Sequence, residues 1–174
     1  MKKFSITILV AWALAMACGA MATDGAISIN GRVVGGACDI SIGGSSNATI
    51  VLPRVSSGSL VAAGDTAGAT PLSMSLSGCP ASGAVRAWFE PTNVDMKTGN
   101  LLNNAERPAE NVLVQVKDQS SGNVIDLRDN TNNPFTNFGI DGSIILSYAA
   151  QYYATGPATS GNVETQLVYT LDYP

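Results

Sequence analysis

From residue 25 onward, apolar and polar positions alternate in short runs divided by turn-forming residues. Residues 25–34 read as an extended segment with Ile27 and Ile29 on one face. Over 37–42, Cys38, Ile40 and Ile42 share a face, and 49–52 is a short run that ends at Pro53. Residues 72–76 lead into Gly78-Cys79, and 85–90 carry Trp88 and Phe89 and stop at Pro91. Val112, Val114 and Val116 alternate with Leu113, Gln115 and Lys117. The Ser120-Ser121-Gly122-Asn123 turn then predicts a hairpin to 124–127. The two longest alternating runs place Ile144, Leu146, Tyr148, Ala150 and Tyr152 on one face, and Val163, Thr165, Leu167, Tyr169, Leu171 and Tyr173 on another. No segment holds a helical period over three turns. Residues 93–111 and 129–137 (DNTNNPFTN) read as long connections, with no internal repeat and no linker. This spacing of short strands and turns predicts an all-β sandwich.

The N-terminus follows a different pattern. Lys2 and Lys3 precede an apolar stretch over 4–16, and Ala20-Met21-Ala22 reads as an A-x-A cleavage site. The stretch is short for a membrane span. Residues 1–22 are therefore expected to be a signal peptide, with cleavage after Ala22 and cleavage after Ala20 as the alternative. A lipoprotein signal ending at Cys18 is the competing reading, but Ala15-Met16-Ala17 lacks the usual leading Leu. Without residues 1–22 the chain has 152 residues, seven basic against 13 acidic, and a formal charge of −6. Cys38 and Cys79 then form the one possible intramolecular pair. Export favours a disulfide between them. Closing a loop of about 40 residues stabilises a fold by roughly 4 kcal/mol in the chain-entropy model.

Composition narrows the chemistry. The chain has no His, so His-based zinc sites and Ser-His-Asp or Cys-His catalysis cannot be built from it. A formal charge of −4 over the whole chain argues against nucleic acid as a partner. Asp39, Asp65, Glu90, Asp95, Asp126, Asp129 and Asp141 form no recognisable catalytic constellation and read as solvated acids or turn residues. Neither a catalytic residue nor a cofactor or metal is expected. Asn47-Ala48-Thr49 matches a glycosylation acceptor but arises easily at this Asn and Thr content. Trp88 and the Tyr148, Tyr152, Tyr153 group read as core and groove residues rather than as a sugar-binding platform.

Several of these features together resemble the pilin subunits of the bacterial chaperone–usher pathway, of the type 1 fimbrial kind. Gly31-Arg32-Val33-Val34 followed by Ala37-Cys38 resembles the family's opening, and Leu52-Pro53 with Val55 resembles the segment after it. The run from Leu72 to Gly78-Cys79 resembles the strand into the second Cys. Gly161, fourteenth from the end, and the penultimate Tyr173 match the C-terminal signature. The resemblance implies an immunoglobulin-like sandwich that lacks its final strand and is completed by a donor strand from a neighbouring subunit. It implies three parts: the signal peptide over 1–22, a donor arm over 23–34, and the pilin domain over 35–174. In the arm, Gly25, Ile27, Ile29 and Gly31 would face the neighbour's groove. In the domain, Gly161, Val163, Thr165, Leu167, Tyr169, Leu171, Tyr173 and Pro174 would line the groove and meet the periplasmic chaperone. The implied partners are further pilin subunits in a head-to-tail homopolymer, the chaperone and an outer-membrane usher, and the implied destination is a fimbrium at the cell surface. A major shaft subunit is the expected rank. The alternatives are a minor or adaptor pilin, or a secreted monomeric sandwich that binds carbohydrate.

Overall fold

The computed structural model describes residues 38–174. The signal peptide with its cleavage site, the arm residues Gly25, Ile27, Ile29 and Gly31, and the boundary at residue 35 lie outside the described residues.

Seven strands follow one another: β1 (Asp39–Ser41), β2 (Thr66–Ser77), β3 (Ala84–Phe89), β4 (Val112–Asp118), β5 (Thr136–Asn137), β6 (Ile144–Ala154) and β7 (Tyr169–Asp172). Two short 3-10 turns, Ser57–Ser59 and Pro91–Asn93, are the helical elements among the described residues. One sheet has the order β1-β2-β6-β4 and the other β5-β3-β7. Each of these strand pairs is antiparallel.

The side chains that alternate in the sequence explain why the sheets meet. Leu72, Met74 and Leu76 of β2 are buried, as are Val85, Ala87 and Phe89 of β3, Val114 and Val116 of β4, and Leu146 and Tyr148 of β6. They form one core with Ile125 and Leu127. The Phe89 and Tyr148 rings meet edge to face at 5.1 Å across it. The predicted disulfide is present between Cys38 and Cys79, with Cα atoms 4.4 Å apart.

Four details depart from the sequence reading. β2 begins at Thr66, well before Leu72, because a bulge at 67–70 lets the strand continue. Gly68 sits in that bulge at φ +68°, and a Cβ there would meet the Tyr152 ring at 3.0 Å. Residues 49–52 join no strand ladder among the described residues. Residues 124–127 return from the predicted turn, with Asp118 N donating to Asn123 O at 2.9 Å, but among the described residues they meet β4 only through the Lys117–Val124 bridge and the bond from Ile125 N to Val116 O. Trp88 is not a core residue: odd positions of β3 point inward, so Trp88 is half-buried on the outer face, where the Arg86 guanidinium stacks on its ring at 4.9 Å.

Candidate functional site: an open edge between the first and last segments

The last segment alternates without interruption. From Val163 to Tyr173 every odd residue is half-buried, and Glu164, Gln166, Val168 and Thr170 are exposed. Val163, Leu167, Tyr169, Leu171 and Tyr173 pack against the main core. None of them reaches the full burial of the core strands, so their inward face is only partly covered. Leu52, from the first segment of the described chain (residues 38–55), packs on the same core.

Backbone pairing of this segment is one-sided. Asn162 N donates to Arg107 O at 2.8 Å and Asn162 O accepts from Ala109 N at 2.9 Å. Glu164 O accepts from Asn104 N at 2.7 Å, and Val168 O from Glu90 N at 2.9 Å. β7 continues the same side onto β3, from Tyr169 opposite Phe89 to Asp172 opposite Arg86. In extended chain, successive residues send their N–H and C=O groups to opposite edges. The pairing above falls on even residues, so the polar backbone of Val163, Thr165 and Leu167 faces the other edge. Among the described residues nothing pairs with it there. The backbone of 48–55 likewise makes no hydrogen bond with any described residue. Ile50, Val51 and Val55 on that segment are exposed.

At one end the two segments are tied together. Cys38 N donates to the Tyr173 hydroxyl at 3.0 Å, and the Tyr169 hydroxyl donates to Ser46 O at 2.7 Å. The Phe138 and Tyr173 rings lie 6.4 Å apart at that end. At the other end stands Gly161. A Cβ on Gly161 would meet Pro108 C at 2.5 Å and Pro108 O at 2.6 Å, and would collide with Ala109 N. Only glycine allows the chain to pass that backbone. Arg86 pairs with Asp172 at 2.8 Å and fixes β7 to β3 from the outer face.

The sequence-predicted C-terminal residues are thus brought into one row: Val163, Thr165, Leu167, Tyr169, Leu171 and Tyr173, with Gly161 at its start and the exposed Pro174 at its end. The expected strand over the whole run is shorter than read, since only Tyr169–Asp172 forms a ladder. Residues 103–109 follow an irregular path beside 162–168 and offer single bonds instead of a regular register. The Thr165 hydroxyl oxygen accepts from Asn93 Nδ2 at 2.8 Å.

The sequence reading missed a buried polar group on the far edge of β3. Asn130 and Asn133, in a stretch read as a long connection, are buried. Phe89 N donates to Asn130 Oδ1 at 2.9 Å, Asn130 Nδ2 to Phe89 O at 2.9 Å, and Asn133 Nδ2 to Ala87 O at 2.7 Å. These side chains take the place of a strand on the β3 edge away from β7. The Tyr148 hydroxyl joins them, donating to Asn133 Oδ1 at 3.2 Å. Burial pushes its pKa up to about 12. Consecutive Asn residues followed by Pro were the one signal in the sequence, and that composition also marks ordinary loops.

A two-sheet β domain with a Cys38–Cys79 bridge and a C-terminal row whose outward edge has no partner among the described residues defines a class of fibre-forming subunit. The chain belongs to the type-1 fimbrial protein family, whose family model (FimA, type-1 fimbrial protein, A) matches residues 52–174. It is similar to the major fimbrial subunit SMF-1 of Stenotrophomonas maltophilia (strain K279a), 40% identical over 162 residues, 88% of this chain and 95% of that protein. It is also 40% identical to the F17 fimbrial protein of Escherichia coli over 182 residues, 98% of this chain and 97% of that protein. Among solved structures it shares its fold with a chain from a chaperone–usher pilus (TM-score 0.63, 21% identity, 87% of this chain and 96% of that chain). The protein is a structural pilin that polymerises with other pilins in a surface fimbria, and its all-β fold is the immunoglobulin-like pilin sandwich.

Proposed function

We propose that this chain is the major shaft subunit of a chaperone–usher fimbria and that it polymerises by donor-strand exchange. The observation that carries the reading is the half-buried row from Val163 to Tyr173, which packs on the core while the outward edge of its odd residues has no partner among the described residues. Exposed apolar surface and an unpaired strand edge make an isolated subunit prone to association, so a transient strand from a chaperone is needed before assembly. The arm over 23–34 of a neighbouring copy supplies the permanent strand. Its Gly25, Ile27, Ile29 and Gly31 face the groove, and each Ile contributes about 1.5–3 kcal/mol on burial. The signal peptide over 1–22 sends the chain to the periplasm, the chaperone holds it at the row ending in Tyr173 and Pro174, and the usher passes it to the surface. A head-to-tail contact of this kind does not close on itself and grows an open fibre. The exchange requires neither cofactor nor catalytic residue. The rank of the SMF-1 relative as a major fimbrial subunit supports the shaft assignment, and the fold shared with a chaperone–usher pilus chain supports that route of assembly.

The test is deletion of residues 23–30. The shortened subunit is expected to be recovered bound to its chaperone but absent from fibres in electron micrographs. Fibres of normal length from the shortened chain defeat the reading.

A further inference from the structure

We propose that the turn over 139–142 of each subunit docks on the depression at the Gly161 end of the copy that accepts its arm. This rests on the donor-strand reading above and adds a second contact beside the strand.

The arm runs into Cys38, which is bridged to Cys79. Cys79 N donates to Gly142 O at 3.0 Å, which fixes the turn beside the point where the arm leaves the domain. The turn is closed by Gly139 N on Ser143 O at 2.8 Å and by the Asp141 carboxylate, which accepts from Ser143 N and Oγ at 3.1 and 2.8 Å. It holds out Ile140, whose side chain is fully exposed. A fully exposed Ile at the tip of a hydrogen-bonded turn has no use within its own domain.

Residues 32–37 between the groove-filling part of the arm and Cys38 span at most about 20 Å. The accepting copy must therefore begin within that reach of Ile140. Its orientation follows from the groove. Tyr173 lies at the Cys38 end, 3.0 Å from Cys38 N through its hydroxyl. Gly161 lies at the far end, about 40 Å away if the row is fully extended. An arm laid parallel to the last segment would bring two Cys38 ends together and bury the exit of the accepting copy's own arm, which stops growth. An antiparallel arm sets the Cys38 end of one copy against the Gly161 end of the next and leaves the next arm free. Antiparallel pairing is also the more stable of the two.

The depression at the Gly161 end is lined by Arg107, Pro108, Ser160, Gly161 and Asn162. It is held in shape by the two bonds between Asn162 and the 107–109 backbone. Among the described residues Arg107 has no ion-pair partner, since the salt bridges there use Arg86 and Arg128. The turn offers an apolar Ile140 and an anionic Asp141, and the depression offers Pro108 and a cationic Arg107. The two ends match in both respects.

Engineered cysteines in the full chain test this. Fibres of the Ile140→Cys, Ser160→Cys double variant are expected to give a ladder of disulfide-linked multimers on non-reducing gels, and fibres of Ile140→Cys, Ser77→Cys are expected to give none. No ladder from the first, or a ladder from the second, overturns the proposal. A charge cycle gives an independent reading: Asp141→Asn keeps the turn's side-chain acceptor and is expected to slow fibre growth about two- to five-fold, the range of an exposed ion pair. In an Arg107→Gln background the same change is expected to have no further effect, and an equal slowing in both backgrounds overturns the pairing. Wild-type fibres without the ladder defeat only this contact. Fibres from chains lacking residues 23–30 defeat the donor-strand reading beneath it.

Discussion

Among single residues, Gly161 is the position with least freedom. Its missing Cβ is the space through which the last segment passes the backbone of Pro108 and Ala109. Gly161→Ala forces that backbone apart and is expected to cost about 1–3 kcal/mol, measured as a lower denaturant midpoint. Tyr148 is the buried titrating group. Its phenol accepts from Ala87 N at 3.3 Å, and burial holds its pKa at about 12. The folded state thus keeps a proton that the unfolded state releases near pH 10. Stability is full below that value and falls as pH rises from about 10 toward 12. Tyr148→Phe is expected to lower stability at neutral pH by about 1 kcal/mol and to remove this part of the alkaline slope. The acid side has the opposite sign. Asp126 is held below the usual carboxylate range by the Arg128 hydrogen bond, Asp95 by Thr98 and Asp141 by Ser143. Their contribution is present above the ordinary aspartate value and is lost as pH falls through the lowered ones, which a pH series of thermal melts records.

Among the elements, β3 shows how side chains can complete a sheet. One edge pairs with β7, and the other is served by Asn130, Asn133 and then β5. Asn133→Ala leaves Ala87 O and the Tyr148 hydroxyl short of a partner inside the core. The expected loss is about 1–3 kcal/mol by denaturant titration, whereas exposed Asn132→Ala should cost less. The strands legible in the sequence were those whose inward positions are all apolar, such as Val85, Ala87 and Phe89 or Leu146 and Tyr148. The extension of β2 through Gly68 and Pro71 was not legible, since a bulge breaks the alternation that reveals a strand. Asn130 and Asn133 were not legible because their value lies in meeting a distant edge, which residue type alone does not encode. Of the candidate site, the C-terminal row could be read because Val163 to Tyr173 keep a strict period of two. The ties from Tyr173 to Cys38 and from Tyr169 to Ser46 could not, because each joins residues more than 100 positions apart.

Over the whole molecule, the fold is a pilin sandwich in which the outward backbone edge of Val163, Thr165 and Leu167 and the backbone of 48–55 have no partner among the described residues. The disulfide anchors Cys38, at the start of the first segment, to Cys79, just past the end of β2. Replacing Cys38 and Cys79 by Ser is expected to cost about 2–5 kcal/mol and to lower the yield of assembled fibre more than a surface change does. Closure of the open edge by a neighbour's arm has a direct readout in amide hydrogen exchange, measured on assembled fibres and on subunits lacking residues 23–30 that are freshly released from the chaperone and kept dilute enough to stay monomeric. The amides of Val163, Thr165 and Leu167 are expected to be strongly protected in fibres and to exchange rapidly in the shortened subunit, while those of β3 and β6 stay protected in both. Equal protection of the three amides in both samples would mean that no arm closes this edge.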